Sequence, residues 1–238
     1  MSEKNLKIIK SKYELGYKTK GIDYQRKYPN EELCRFVGRN FSSISRKRRK
    51  KIKILEVGSG SGGNLWMLAN EGFKSYGLDI SKKSVEIAKN LLRKKNLKAD
   101  IDHGSMTVLP YKDNFFDCIV DIFSSSCLDS QDGIKFLNEV SRTLKKNGSF
   151  FSYFPSKKSK MFKSKNKKMI DKDTVFNLKQ KKNAYRINNC PFRFLDKNQY
   201  IKLLKTRNLK VFYSEEIQKT YFNGKENFNF IVIGGKKV

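Results

Sequence analysis

A doubly wound α/β fold, with a mostly parallel seven-stranded sheet and helices on both faces, is what this 238-residue sequence predicts. Three observations carry the expectation. From Ile52 onward, short apolar runs alternate with amphipathic helix-like stretches. The first strand-like run breaks into glycine and serine and passes directly into helix-forming residues, "ILEVGSGSGGNLWML" at 54–68. The second, "KSYGLDI", carries an acid, Asp79, next to its end. A strand, a side-chain-poor turn and a helix in that order place a nucleotide-like ligand at the turn.

Residues 1–50 read as an N-terminal helical cap ahead of a main domain at 51–238. In "YPNEELCRFVGRNF", Leu33, Phe36, Val37 and Phe41 recur at helical spacing. The basic run "RKRRKK" at 46–51 reads as solvated charge in front of a buried strand. "KIKILEV" is the first strand, and "NLWMLANEG" a helix with Gly72 as its C-cap. "KSYGLDI" is the second strand, followed by the amphipathic helix "SKKSVEIAKNLLRKKN", capped by Ser81 or Ser84. "KADIDHG" and "FDCIVDIF" are the third and fourth strands. In "DGIKFLNEVSRTLKKNG", Ile134, Leu137, Val140 and Leu144 share a helical face that Gly148 would close, and "SFFSYF" is the fifth strand. Residues 156–195 are polar and weakly periodic. Too long for a structureless loop, they read as a lid-like insertion after strand 5 that faces substrate; the alternative is a lysine-rich surface excursion. "DKNQYIKLLKTRN" resumes as a helix with Asp196 as N-cap, and "LKVFYSEEI" and "NFNFIVIGGKKV" close the sheet as a strand pair.

Composition excludes several classes. The basic N-terminus has neither the apolar centre nor the cleavage site of a secretory signal, and no apolar run approaches the roughly 20 residues that span a bilayer. The expectation is a soluble, cytoplasmic protein without a membrane role. Cys34, Cys118, Cys127 and Cys190 are scattered and His103 is the sole histidine, so neither disulfides nor a structural metal is expected. The net charge of +29 would suit nucleic acid. The excess is mostly lysine, spread along the chain with abundant Asn, Ile and Phe, as an AT-rich coding sequence would give. Base and phosphate recognition leans more on arginine.

The glycines need their context. Gly58, Gly60 and Gly63 alone fit a dinucleotide fingerprint. Glu56, however, stands two residues before Gly58, giving E-x-G-x-G-x-G across Glu56, Gly58, Gly60 and Gly62. Asp79 follows about 20 residues beyond, where an acid meets ribose hydroxyls. Then come "HGSMTVLPYKDNFFDCIV" and "NEVSRTLKKNGSFF". Over residues 52–154 this ordered set resembles the class I S-adenosylmethionine-dependent methyltransferases, in particular the bacterial group labelled type 11, and implies their Rossmann-like fold. Dinucleotide-binding proteins share the glycines and the ribose acid, but need neither Glu56 nor the LP…FD and R-x-LK-x-G segments.

The resemblance implies S-adenosylmethionine as cofactor, held by Glu56, Gly58, Ser59, Gly60, Gly62, Asn64, Asp79, Ile80, Ser105 and Met106. The bare turn would pass the methionine and ribose portions, and the helix N-terminus near Asn64 would face the cofactor carboxylate. Asp79 would accept from the ribose hydroxyls, Ile80 would pack on adenine, and Ser105 and Met106 would bracket it. Where the family often has an acid, this chain has Ser105, which leaves recognition of the exocyclic amine open. Each position has a plainer reading: Glu56 as a strand-end acid, Asp79 as a cap for the helix from Ser81, Met106 as core.

The implied chemistry is direct displacement at the methyl group, with catalysis coming from alignment. A hydroxyl acceptor would need a base. His103 lies on the adenine side and reads as structural. On the acceptor side stand Asp121, Ser124 to Ser126, Tyr153, Tyr24 and Tyr28, although the serines could serve only the local backbone and the tyrosines only packing. "DIFSSSC" replaces the [NDS]-P-P-[YFW] of adenine-N6 and glutamine methylating enzymes, and no Pro-Cys pair suggests a cytosine-C5 nucleophile. The acceptor expected is an O or N atom of a small-molecule or sugar-like compound. Two alternatives stay open: an RNA methyltransferase tracking phosphates along 46–53 and 157–168, and a non-catalytic relative that only binds the cofactor.

Overall fold

The computed structural model describes residues 3–164, 167–176 and 190–238. The chain opens with helix α1 (Glu3–Lys20), a 3₁₀ turn at Gly21–Tyr24, α2 (Glu31–Phe41) and the single turn α3 (Arg46–Arg49). The alternating part runs β1 (Lys53–Val57), α4 (Gly63–Asn70), β2 (Lys74–Asp79), α5 (Lys82–Lys94), β3 (Ala99–His103), β4 (Phe116–Ile122), α6 (Ser130–Thr143) and β5 (Leu144–Pro155). After it come α7 (Lys160–Lys163), β6 (Lys168–Met169), β7 (Thr174–Phe176), β8 (Phe192–Arg193), α8 (Lys197–Lys205), β9 (Leu209–Tyr221) and β10 (Glu226–Lys237).

Seven strands form one sheet in the order β3-β2-β1-β4-β5-β10-β9. The first five are parallel, and β10 runs antiparallel to both β5 and β9. Alternation along each strand feeds two separate cores. Ile54, Cys118, Val120, Phe151 and Val232 pack on one face with Leu33, Phe36, Val37 and Phe41 of α2. Leu55, Val57, Ile119, Phe150 and Ile233 pack on the other with Phe136, Leu137 and Val140 of α6 and Leu204 of α8. The predicted fold class therefore holds.

The helix ends follow capping chemistry. Ser81, rather than Ser84, caps α5, its side chain accepting from the Ser84 N–H. Asp196 opens α8 in a capping box with Gln199. Asn30 caps α2, its Oδ1 accepting from the N–H groups of Glu32 at 3.0 Å and Leu33 at 3.1 Å. Buried as it is, its replacement in Asn30→Ala should cost about 1–2 kcal/mol. A thermal melt should record that as a fall of roughly 2–8 °C in a chain of this size.

One expectation is corrected. Gly148 does not end α6, which stops at Thr143; β5 begins at Leu144 and carries Gly148 inside it. The reason is local. The β4–β5 register slips between Phe116 and Cys118. There a Cβ on Gly148 would lie 2.9 Å from the Lys145 carbonyl and 3.2 Å from that of Asp117. The described part of 156–195 is the expected insertion after strand 5 and not the alternative, a lysine-rich surface excursion. It holds α7 and the antiparallel sheet β6-β7-β8, and buries Met161, Val175, Phe192 and Phe194 against Phe228 and Phe230. Each such phenylalanine contributes about 1.5–3 kcal/mol of burial, so this piece is built into the fold. The rest of that expectation, at 165–166 and 177–189, lies outside the described residues.

Among the described residues no helix is long and apolar enough to cross a membrane, and no group of three or more His, Cys, Asp or Glu side chains is placed to hold a metal ion. All four cysteines are thiols, Cys34 exposed and the others buried.

Candidate functional site

The carboxyl ends of β1, β2, β3 and β4 open on one cavity of about 450 Å³, roofed by α1 and the segment after it. Its position follows from topology. Reversal of strand order between β1 and β4 leaves a crevice above the sheet that no crossover helix fills.

At the tip of β1, Glu56 is 3 % exposed. Its Oε1 accepts from Asn64 Nδ2 at 2.6 Å, while Oε2 meets no partner among the described residues. Burial pushes its carboxyl up to about 8, the charges of Asp79 and Asp121 adding to that and the Asn64 bond opposing it. Asn64, on the first turn of α4, accepts in turn from the Asn30 N–H at 2.8 Å. The cap of α2 and the acid of β1 thus share one amide.

The turn after β1 folds onto β2. Gly58 and Ser59 donate to the Leu78 carbonyl at 2.7 and 3.1 Å. Gly60 donates to Asp79 Oδ2 at 2.8 Å. Gly58 and Gly60 hold φ of 63° and 54°, in the left-handed region that a side chain disfavours. A Cβ on Gly58 would collide with Ser124, and one on Gly60 would lie 2.6 Å from the Tyr17 hydroxyl. Ser59 Oγ is buried without a partner among the described residues. Gly62 behaves differently. It begins α4, lies off the cavity, and lets the helix pack on Ala88 of α5, 3.1 Å from where its Cβ would be.

Asp79 ends β2. Besides Gly60, it accepts from the Ser81 N–H on Oδ1 at 2.9 Å, and burial raises its pKa despite those bonds. Its plainer reading as a helix cap is therefore partly met, but a carboxylate has acceptor capacity beyond two bonds. Ile80, Ser105 and Met106 line the same wall, with Gly104 between the strands. Ser105 Oγ shares a 2.8 Å hydrogen bond with Thr107 Oγ1. His103 meets the Ile80 carbonyl through Nε2 at 3.1 Å, a structural contact.

The catalytic candidates divide. Asp121 lies behind the cavity wall, fully buried, accepting from the N–H groups of Ser124 at 3.1 Å and Ser125 at 3.0 Å and from the hydroxyls of Ser125 and Ser152. It folds the 3₁₀ turn at Ser125–Cys127 and reaches no solvent-filled space. Tyr153 sits in the core, its ring stacked on Phe230 at 4.3 Å. Neither lines the cavity. Ser124 does, but its hydroxyl donates to the carbonyls of Gly58 and Ile122 at 3.1 and 3.2 Å. Tyr24 lines it wedged between Tyr13 and Tyr17, and Tyr28 stands at the rim, 76 % exposed.

Several lining residues went unnoticed in the sequence. Leu6, Ile9, Tyr13 and Tyr17 form the inner stripe of α1. Their spacing of three and four residues is the signal that would have found them. Tyr17 is 2 % exposed and takes a hydrogen bond from the Ser61 backbone. Phe123 carries no such signal. It leaves β4 with φ 64°, a conformation that costs a bulky residue about 1–2 kcal/mol. It is held by its N–H bond to the Tyr153 carbonyl at 2.9 Å and by ring contact with Phe192 at 5.1 Å.

Comparison with known proteins adds the following. A family described as "Methyltransferase domain" matches residues 54–148. A ubiquinone biosynthesis O-methyltransferase of Pelagibacter ubique is 36% identical over 107 residues, 45% of this chain and 43% of that protein. A glycine/sarcosine/dimethylglycine N-methyltransferase of Actinopolyspora halophila is 28% identical over 187 residues, 74% of this chain and 32% of that one. The chain thus spans less than half the length of these curated relatives. The solved structure of Burkholderia thailandensis 1,6-didemethyltoxoflavin-N1-methyltransferase, with 1,6-didemethyltoxoflavin and S-adenosylhomocysteine bound, superposes with a TM-score of 0.73 at 10% identity, covering 100% of this chain and 91% of that one.

Proposed function

Because the chain belongs, through residues 54–148, to the class I S-adenosylmethionine-dependent methyltransferase family, we propose that it methylates an O or N atom of a small-molecule acceptor bound beside β4. The observation that carries the reading is convergence. A partnerless buried carboxylate oxygen, a side-chain-free turn and a second acid meet on one wall of one cavity.

The residues present fit the cofactor. Glu56 Oε2 is an acceptor suited to an ammonium, and Ser59 Oγ is a second polar atom awaiting a partner. Gly58 and Gly60 keep clear the space that a side chain would close. Asp79 would accept from the ribose hydroxyls while its bonds to Gly60 and Ser81 fix its orientation. Ile80 would pack on the adenine, with Ser105 and Met106 on its flank. Asn64 holds Glu56 in place, while Gly62 shapes the turn through the α4–α5 packing.

When bound, S-adenosylmethionine supplies a methyl group on a positively charged sulfur, open to direct displacement by a nucleophile. The chain's own part is enclosure and alignment. Tyr13 and Tyr17 of α1 close the cavity from above, and Glu14 moors that helix by accepting from the Ser81 hydroxyl at 2.7 Å and the Lys83 N–H at 3.2 Å. The N-terminal segment is in this reading a cap on the site, and the insertion after β5 reaches the site through Phe192.

The basic stretches give less support to an RNA acceptor. Arg49 pairs with Glu71, Lys157 with Asp173 at 2.6 Å and Lys158 with Glu216 at 2.7 Å, so these side chains already have acidic partners.

Calorimetric titration with S-adenosylhomocysteine tests the reading. One-to-one binding is expected, together with transfer of label from S-adenosylmethionine to a low-mass product in a metabolite extract. No heat and no thermal shift would overturn the cofactor assignment, and label appearing only in RNA would overturn the acceptor class.

A further inference from the structure

The cavity has two chemically different halves. Strand order separates them, since β2 and β3 lie on one side of β1 and β4 on the other. The β2–β3 half holds Asp79, Ile80, Gly104 and Ser105. The β4 half is lined by Leu6, Ile9, Ile122, Phe123, Leu128 and Phe192, with Lys12, Tyr13, Tyr24 and Cys127 among the ionisable groups beside them. Asp23 and Arg26 stand with Tyr28 at the exposed rim.

Tyr13 and Cys127 are proton donors rather than bases. Burial holds the Tyr13 phenol well above its usual range, and the Cys127 thiol is pushed up to about 12 by burial and then by Cys190. Tyr13 Oη and Cys127 Sγ are 3.1 Å apart, and Lys12 Nζ donates to Cys190 Sγ at 3.0 Å. Asp121, the buried carboxyl of β4, is spent on Ser124, Ser125 and Ser152. A sugar would strand its hydroxyls against this lining, and a zwitterionic amino acid would leave its charges there unpaired. Phe123 is held against its backbone preference with its ring on Phe192, which makes the aromatic wall a feature the fold maintains at a cost.

We propose that the acceptor is a flat, largely apolar ring bearing an acidic hydroxyl, packed on Phe123 and Phe192 and taken as its oxyanion near Lys12 and Tyr13. The inference rests on the methyltransferase reading above. The balance needs no base from the protein. The hydroxyl proton leaves to solvent before binding, the oxyanion forms the new O–CH₃ bond, and the C–S bond of S-adenosylmethionine breaks with its electron pair left on sulfur.

The test uses the full chain saturated with S-adenosylhomocysteine and titrated with 4-nitrophenol above that phenol's own pKa, followed by calorimetry and by the phenolate absorbance. Saturable binding is expected, undisturbed by excess glycine, glucose or oligouridylate. Phe123→Gly suits the left-handed backbone, which offsets part of the ring packing it loses on Phe192, Phe228 and Phe230. It should weaken phenolate binding roughly tenfold or more and leave S-adenosylhomocysteine affinity unchanged. Lys12→Met should weaken 4-nitrophenolate but not neutral 4-nitroanisole. Absence of phenolate binding, equal binding by Phe123→Gly, or displacement by glycine, glucose or RNA overturns this inference. Loss of S-adenosylhomocysteine binding by the unmodified chain would instead overturn the reading beneath it.

Discussion

Replacing Glu56 with glutamine should raise thermal stability above neutral pH and lower affinity for S-adenosylhomocysteine, opposite effects from one side chain. The carboxyl titrates near 4.5 when solvated and at about 8 in the fold, driven by burial. Below the lower value both states hold the proton and the group is neutral in the balance. Above it the unfolded chain releases the proton while the folded chain keeps it, so stability falls with rising pH until the upper value is passed. At about 1.4 kcal/mol per pKa unit the loss reaches roughly 3–5 kcal/mol. Glutamine does not titrate and can keep the Asn64 bond through its carbonyl. The melting-temperature gap between variant and parent should open from near zero at about pH 4 to roughly 6–20 °C at about pH 8. Asp79 and Asp121 are also raised, but they titrate in both proteins and cancel. Binding should move the other way, weakening about ten- to hundredfold as a charge-assisted bond to the ligand amine is lost. In the parent near neutral pH that amine would ionise Glu56, so binding enthalpy should vary with the buffer's own ionisation enthalpy, and less so in the variant. A stability gap that stays constant across pH would refute the buried, protonated carboxyl.

What could be read in advance follows periodicity. Alternation of strand and helix predicts a mostly parallel sheet, though not its strand order, and residue type and spacing alone put Glu56, Gly58, Gly60 and Asp79 at the ends of β1 and β2. Other features depend on contacts distant in the chain. Asp121 looked like an acceptor-side acid because it sits near the carboxyl end of β4, but the turn at 124–127 folds back and takes up its oxygens. Tyr153 alternates onto the α2 face, and nothing local says that Phe230 will cover it. The insertion after β5 has its apolar residues far apart in sequence, and only the β6-β7-β8 pairing collects them. Phe123 in a left-handed conformation has no sequence signature at all, since the strain is imposed by partners on β5 and β8.

Asp79→Ala should cut affinity for S-adenosylhomocysteine by about a hundredfold or more, the equivalent of two charge-assisted hydrogen bonds at about 1.5–3 kcal/mol each. The complication is that this carboxylate also serves the fold. Its removal leaves the N–H groups of Gly60 and Ser81 without their acceptors, at about 1–3 kcal/mol apiece. The same change relieves a carboxylate whose pKa burial has raised, so the net loss of stability should be smaller than that sum. Weakened binding alone could then reflect a loosened turn rather than a lost ribose contact. A ligand cycle separates the two. The 2′-deoxyribose analogue of S-adenosylhomocysteine should bind the parent at least about tenfold more weakly than the ribose form, and Asp79→Ala should bind both alike. If the variant still discriminates between the two sugars, the hydroxyls are read by another group and Asp79 serves only to cap α5 and pin the glycine turn. If discrimination vanishes with the carboxylate while the melting temperature shifts by only a few degrees, the acid at the tip of β2 reads the sugar directly.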